Sequence, residues 1–263
     1  MMEWLGFGLA GIAAGLVAGL FGIGGGLIIV PILIMVFSWQ SMSPDVAIHV
    51  AIGTSLMTIT ITSLSSMRAH HRYGTIRWSL VGRLTPGLVV GSLSGALIAA
   101  SLSSEILRTI FALFALLMAI RMWLPPPYAV SPRLLTSPFM GGFSLITGVI
   151  SAMVGIGGGT LVVPYLVMAG QEMQKAVGTA AACGFPIAVS GVIGFVWMGS
   201  QVAAVDTEWQ SGFIHWPAFL GIISTSVFTA PLGARLASAL PDKRLSQMFS
   251  LVLLVVGLLL LSR

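Results

Sequence analysis

Apolar runs about 20 residues long recur from one end of this chain to the other, the last reading "LVLLVVGLLLL" at 251–261. That length crosses the hydrocarbon core of a bilayer as a helix. Inside lipid every backbone polar group needs an internal partner, so only helices and closed β-barrels can span it. A barrel strand alternates apolar and polar residues, and these runs do not alternate. Charge agrees: 7% of the 263 residues are charged, 57% are hydrophobic, and the mean hydropathy is +1.03. A soluble domain carries about 25% charged residues. The expectation is an all-α polytopic membrane protein with no separate soluble domain. The start "MMEWLGFGLA" lacks the basic region of a cleavable signal, so the first apolar segment is expected to be retained. Cys183 is single and can form no internal disulfide. The net charge of +5 comes from basic residues scattered among loops, which gives no nucleic-acid surface.

Hydropathy and punctuation predict segments at 4–21, 25–37, 46–67, 79–102 and 107–124, then 136–154, 158–169, 175–198, 213–238 and 246–262. The second series repeats the first. "GIGGGLIIVP" (Gly22–Pro31) matches "GIGGGTLVVP" (Gly155–Pro164). "AIGTS" (Ala51–Ser55) matches "AVGTA" (Ala176–Ala180). "IRWSLVG" from Ile76 matches "IHWPAFLG" from Ile214. The domain organisation is thus a first transmembrane repeat at 1–124, a proline-rich connector at 125–135 and a second repeat at 136–263. Internal duplication of this kind is a habit of secondary transporters.

Charge tests the relative orientation of the repeats, because Lys and Arg in short loops favour the cytoplasmic side. If 4–37 is one continuous crossing, the basic residues divide seven against five, which decides nothing. If the chain instead reverses at each GIGGG, Arg68, Arg72, Arg77, Arg83, Arg121, Arg133, Lys175, Arg235, Lys243 and Arg244 share one face. Only Arg108 and Arg263 lie opposite, with Glu3, Asp45, Glu105, Asp206 and Glu208. Equivalent loops also change sign, "RAHHRYGTIR" against "VDTEWQ". The expected fold is therefore two inverted repeats, each a broken helix or helical hairpin at GIGGG followed by three spans. It sits in the cytoplasmic (inner) membrane with both termini outside.

Three consecutive glycines cost a helix about 1 kcal/mol each against alanine, yet they permit positive φ and close approach of a ligand. A helix that starts at such a break inside the membrane presents free N–H groups and the positive end of its dipole, an arrangement suited to anions. The predicted site is built on Gly24, Gly25 and Gly26 with Gly157, Gly158 and Gly159. Hydroxyls would come from Thr54, Ser55, Thr160 and Thr179. Pro31 and Pro164 follow the breaks by five residues and could free further backbone groups. Gly11, Gly15 and Gly19, like Gly87, Gly91 and Gly95, recur every fourth residue and read as packing stripes.

The duplicated G-x-G-G-G-x-x-x-x-P element, the "AIGTS" run and the basic "HHRYGTI" loop resemble the TauE/SafE sulfite-exporter family of membrane transporters, through nearly the whole chain. The resemblance implies transport of sulfite or of small organosulfur or carboxylate anions. Ala180 stands where the first repeat has Ser55, so the hydroxyl clusters of the two repeats are not symmetric. The reading at this level is a secondary transporter for a small oxyanion or sulfonate. An anion channel, an uptake permease for a small carboxylate and a non-transporting membrane subunit stand as alternatives.

His49, near the start of a span, is a candidate for proton coupling. No cofactor or metal is expected, and the coupling ion, proton or sodium, is left open. His70 and His71 are adjacent, which is not helical ligand spacing. His215 is expected at the interface beside Trp216. Trp4, Trp39, Trp78, Trp123, Trp209 and Trp216 lie near segment ends, as an aromatic belt would. An enzyme is disfavoured: Ser55 and His49 are the one tempting nucleophile pair, and on a helix of 3.6 residues per turn they point about 120° apart. "GIGGGLIIVP" also lacks the Lys-Ser/Thr of a phosphate loop. Expected partners are the anionic substrate and the lipid bilayer, with a homodimer allowed and nucleic acid excluded.

Overall fold

In the computed structural model, which describes residues 2–21, 25–123, 132–202, 209–239 and 242–261, the chain is almost entirely helical. The first repeat contains α1 (Met2–Phe21), α2 (Gly26–Trp39), α3 (Pro44–Arg72), α4 (Trp78–Ser101) and α5 (Ser104–Trp123). The second contains α6 (Ser137–Val154), α7 (Gly159–Met168), α8 (Met173–Gly199), α9 (Trp216–Ala239) and α10 (Asp242–Leu261). The prolines of the connector fall outside the described residues; a short 3-10 turn, Pro132–Leu135, follows them. A two-residue antiparallel hairpin, β1 (Gln210–Ser211) with β2 (Ile214–His215), precedes α9.

Local chemistry accounts for most boundaries. α3 opens with Pro44 at a first-turn position, where its missing N–H is no loss, and the Ser43 hydroxyl accepts from the Asp45 amide. α6 likewise opens on a proline. α6 ends because Gly155 adopts φ 70, and the Ile156 amide returns to the Ser151 carbonyl at 2.9 Å, a Schellman-type stop. α2 begins after Gly25, whose φ is 76. Both helices then run through their prolines, Pro31 and Pro164.

The chain reverses at each glycine run. Gly6 of α1 lies against Val36 of α2, and the rings of Phe7 and Phe37 sit 6.4 Å apart. Phe143 of α6 stacks on Tyr165 of α7 at 3.7 Å, and the Tyr165 hydroxyl donates to the Leu134 carbonyl. α3 and α4 are antiparallel too: His71 meets Trp78 at one end, while His49 meets the Ala99 and Leu102 carbonyls at the other.

Contacts between repeats are extensive and reciprocal. α1 packs on α9, as α6 packs on α4, both pairs running parallel. α3 crosses its counterpart α8 with Leu56 beside Gly191 and Ser63 beside Gly184, so the two run antiparallel. α5 and α10 do the same, with Ser250 bonded to the Ala119 carbonyl and Gly257 against Leu116. The packing stripes are real: a Cβ at Gly11, Gly15, Gly87, Gly91 or Gly95 would collide with the facing helix. The Gly19 position falls outside the described side chains.

Four helices are long and apolar enough to cross a membrane on the described residues alone: α3, α4, α5 and α8. Outward faces are apolar, with Leu113, Leu117 and Ile120 on α5 and Leu251, Leu258 and Leu259 on α10 exposed. A continuous exposed apolar surface of this extent suits lipid. Trp39, Trp78, Trp123 and Trp209 are exposed at segment ends. Arg68, Arg72, Arg77, Arg121 and Lys175 share one end of the bundle, where Lys175 pairs with Glu172 at 2.9 Å and holds its carboxyl below the usual range. Asp45 and Glu105 open α3 and α5 at the other end.

Candidate functional site

Buried apolar side chains form two clusters. Val154 and Ile156 belong to the one around Phe7, Phe37 and Phe111; Val162 and Leu166 belong to the one around Leu84 and Leu88. The second glycine run therefore sits where the clusters meet. The first run comes to the same place. A Cβ on Gly26 would collide with the Gly155 carbonyl oxygen and stand 3.0 Å from the Ile156 Cα. Gly155 in turn packs against Val30 and Ile52. The two breaks touch, and glycine is what allows the contact.

Ser55 locks this meeting point. It is fully buried, and its Oγ donates to the Gly155 carbonyl at 2.8 Å. Such a bond contributes about 1 kcal/mol net. Beyond it the backbone is unpaired: the amides of Gly157, Gly158 and Gly159 donate to no group among the described residues, and Gly157 and Gly158 are buried. α7 makes its first helical bond from Val162 to the Gly158 carbonyl, 2.8 Å. The Oγ1 of Thr160 and the Oγ of Ser151 are also buried and without partners. Buried donors are satisfied in the great majority of cases; the Gly157 and Gly158 amides, Thr160 Oγ1 and Ser151 Oγ are four that are not, among the described residues.

The other expected site residues lie elsewhere in the hydrogen-bond scheme. Thr54 accepts from the His215 amide at 3.0 Å, and Thr179 accepts from the Arg77 amide at 3.0 Å while donating to the Lys175 carbonyl. These threonines are counterparts, and each steadies the chain entering the fourth helix of a repeat, α9 or α4. Gly24 falls outside the described residues, whereas Gly25 and Gly26 are buried at the break. His49 is buried; its Nε2 lies 3.1 Å from both the Ala99 and Leu102 carbonyls, its Nδ1 lies 3.4 Å from Ser104 Oγ, and its ring stacks on Phe213. It ties the start of α3 to the α4–α5 corner and does not approach Ser55, whose hydroxyl is committed to Gly155. Among the described residues no three His, Cys, Asp or Glu side chains come together as a metal site requires.

His215 is not at an open interface. It is half-buried between Phe7 and Phe37, and its Nδ1 accepts from the Ala218 amide at 3.1 Å. Sequence reasoning passed over Gly184, which packs beside Gly158, Ser63, which packs against Gly184, and Ser151, whose carbonyl accepts from the Ile156 amide at the turn. The signal for Gly184 was present, since the AIGTS/AVGTA register sets it opposite Ile59.

Comparison with known proteins agrees with this architecture. The family described as sulfite exporter TauE/SafE matches residues 7–260. A probable membrane transporter protein of Haemophilus influenzae is 37% identical over 95% of both chains. Another from Methanocaldococcus jannaschii is 30% identical over 96% of this chain and 93% of its own. One from Bacillus subtilis is 26% identical over 94% and 93%. No protein of known structure matches the chain.

Proposed function

The chain belongs to the TauE/SafE sulfite exporter family of membrane transporters, and from that premise we propose secondary transport of a small anion: sulfite, an organosulfonate or a related oxyanion. The observation that carries the proposal is the contact between the two glycine breaks, with unpaired buried amides beside it and no Lys or Arg among the buried described residues. A buried Lys or Arg is costly in hydrocarbon. Helix N-termini supply about half a unit of positive charge each without that cost, and their N–H groups are oriented in advance. Ser55 holds the break in shape; Thr160 supplies a hydroxyl; Thr54 and Thr179 act at one remove by bracing α9 and α4.

We read the halves, 1–124 and 136–263, as inverted repeats in the inner membrane with both termini outside. The antiparallel courses of α3 with α8 and of α5 with α10 support this, because counterparts run in opposite directions only when one repeat is upside down relative to the other. The basic end of the bundle then faces the cytoplasm. Rocking one set of helices against the other about the breaks would expose the site alternately to each side. His49, at the far end of α3, is the candidate for proton coupling.

The test is flux in proteoliposomes for sulfite, sulfate, thiosulfate, sulfoacetate and small carboxylates, with and without proton or sodium gradients. Saturable flux of at least one oxyanion is expected; none for any anion overturns the proposal. Single cysteines in 68–77 and 205–210, in a Cys183→Ala background, test the orientation. Labelling of both loops from the same side rules out inversion.

A further inference from the structure

The two breaks are equivalent in sequence but have different neighbours. In the register of Thr54 with Thr179, Ile59 of α3 corresponds to Gly184 of α8, and Ser63 corresponds to Ala188. At the first break Ile59 is buried, and its Cδ1 lies 3.0 Å from where a Cβ on Gly26 would stand. At the second break the same position has no side chain. A Cβ built on Gly184 would stand 3.7 Å from the Gly158 amide nitrogen and 3.5 Å from the Ser63 Cβ. A volume the size of one methyl group, or one anion oxygen, is thus left in front of the unpaired Gly158 amide.

Free hydroxyls follow the same division. Ser151 is fully buried and its Oγ has no partner. It stands one helical turn before Gly155, and its carbonyl accepts from the Ile156 amide at the turn. Thr160, with its unpartnered Oγ1, sits in the first turn of α7. Their counterparts in the first repeat are Ala18 and Leu27, which carry no hydroxyl. Leaving a buried donor dry costs the full desolvation of that group. Four buried donors without partners, the Gly157 and Gly158 amides, Ser151 Oγ and Thr160 Oγ1, thus lie at or within one turn of the second break, where Ile187 Cδ1 also packs, 3.2 Å from where a Cβ on Gly158 would stand.

Resting on the transport reading above, we infer that the anion is bound off-centre, at the second break. Its oxygens accept from the Gly157–Gly159 amides, Thr160 Oγ1 and Ser151 Oγ. Gly184 is a specificity-determining position because its missing side chain keeps the Gly158 amide reachable. The first break, with Ile59 packed against Gly26, supplies none of these donors. The ligand class is an oxyanion with a compact deprotonated head, sulfite, sulfonate or carboxylate, in preference to a halide, which offers a single atom to several divergent donors.

The experiment measures KM, maximal rate and Tm of purified variants, with flux read in proteoliposomes for whichever of sulfite, thiosulfate or sulfoacetate the wild-type protein moves saturably. Gly184→Ala adds a methyl at ordinary contact distance in a helix, so Tm is expected to hold. KM is expected to rise roughly tenfold or more, the loss of one hydrogen bond to a charged ligand. Thr160→Val, nearly the same shape, is expected to raise KM in the same sense. Ile59→Ala is expected to leave KM within about twofold, since no donor is lost there. Gly82→Ala, on an open face of α4, is the control for alanine substitution itself. A wild-type KM in both Gly184→Ala and Thr160→Val overturns the inference, as does a rise in Ile59→Ala equal to that in Gly184→Ala. Absence of wild-type flux overturns the transport reading and this inference with it. Wild-type flux with unresponsive variants overturns this inference alone.

Discussion

In α4, Gly87, Gly91 and Gly95 recur every fourth residue and the helix continues through them, whereas the glycines at 155 and 157–159 come nearly in succession and the helix stops. The α4 glycines each meet α6, where a side chain would collide with the Leu145 or Val149 backbone or with Ser144. At the second break Gly155 meets Val30 and Ile52, and Gly158 meets Ile187 and the backbone of Ala180 and Gly184. One residue type therefore performs two tasks. Regular spacing leaves the hydrogen-bond ladder intact and removes bulk from one face, so helices approach closely. Consecutive placement removes the conformational restraint itself, and the amides after the turn have no carbonyl behind them.

The packing stripes show a further regularity between repeats. At the α1–α9 crossing Gly11 faces Thr225 and Gly15 faces Thr229; at the α4–α6 crossing Gly87 faces Ser144. In the repeat register Gly11 corresponds to Ser144 and Thr225 to Gly87, so the glycine and the hydroxyl have changed sides while the crossing persists. The pair, not the position, is what close packing requires.

The sharpest way to break the contrast is Gly91→Val. If Gly91 serves packing, the branched side chain drives α6 away and costs about 3 kcal/mol or more; no monodisperse protein should elute from a size-exclusion column. A folded, wild-type-like variant would show that the stripe is incidental. Next in size is Ser151→Ala. Removing an unpartnered buried hydroxyl should leave Tm equal or higher, because no bond is broken, while KM for the transported anion rises roughly tenfold. A fall in Tm with unchanged KM would return Ser151 to the packing class. Ser55→Ala should cost about 1–2 kcal/mol, since the Gly155 carbonyl is left buried and unpaired. A Tm lowered by a few degrees is the readout. The smallest effect belongs to Gly141→Ala: nothing lies within 4 Å of the added methyl. Stability should rise by about 0.5–1 kcal/mol from helix propensity alone, with flux unchanged.

Element positions were readable because they depend on local chemistry. Hydropathy predicted 46–67 and 175–198 for helices that run Pro44–Arg72 and Met173–Gly199; polar end turns, invisible to an apolar count, explain the difference. The segment predicted from 213 starts as a helix only at Trp216, because Gln210–Ser211 and Ile214–His215 pair as a hairpin whose two-residue strands leave no periodic signal. Phe213, within that hairpin, stacks under His49, a contact across 164 positions of chain that no local pattern announces.

At the site, the glycine breaks were legible, while the state of each hydroxyl was not: Ser55, expected as a ligand hydroxyl, donates to the Gly155 carbonyl. Thr54 and Thr160 look alike as residues near a break. Thr54 is engaged by the His215 amide, whereas Thr160 Oγ1 has no hydrogen-bond partner among the described residues.

The sequence by itself determined the membrane class, the duplication, and the points where the chain turns back, since each follows from hydration of the backbone or from the φ freedom of glycine. Tertiary structure alone decided that α1 lies on α9 and α6 on α4, that Ile59 packs at one break and Ile187 and Gly184 at the other, and which donors remain unpaired. The reason is that hydrogen bonds and close packing are settled by competition among groups brought together from distant parts of the chain.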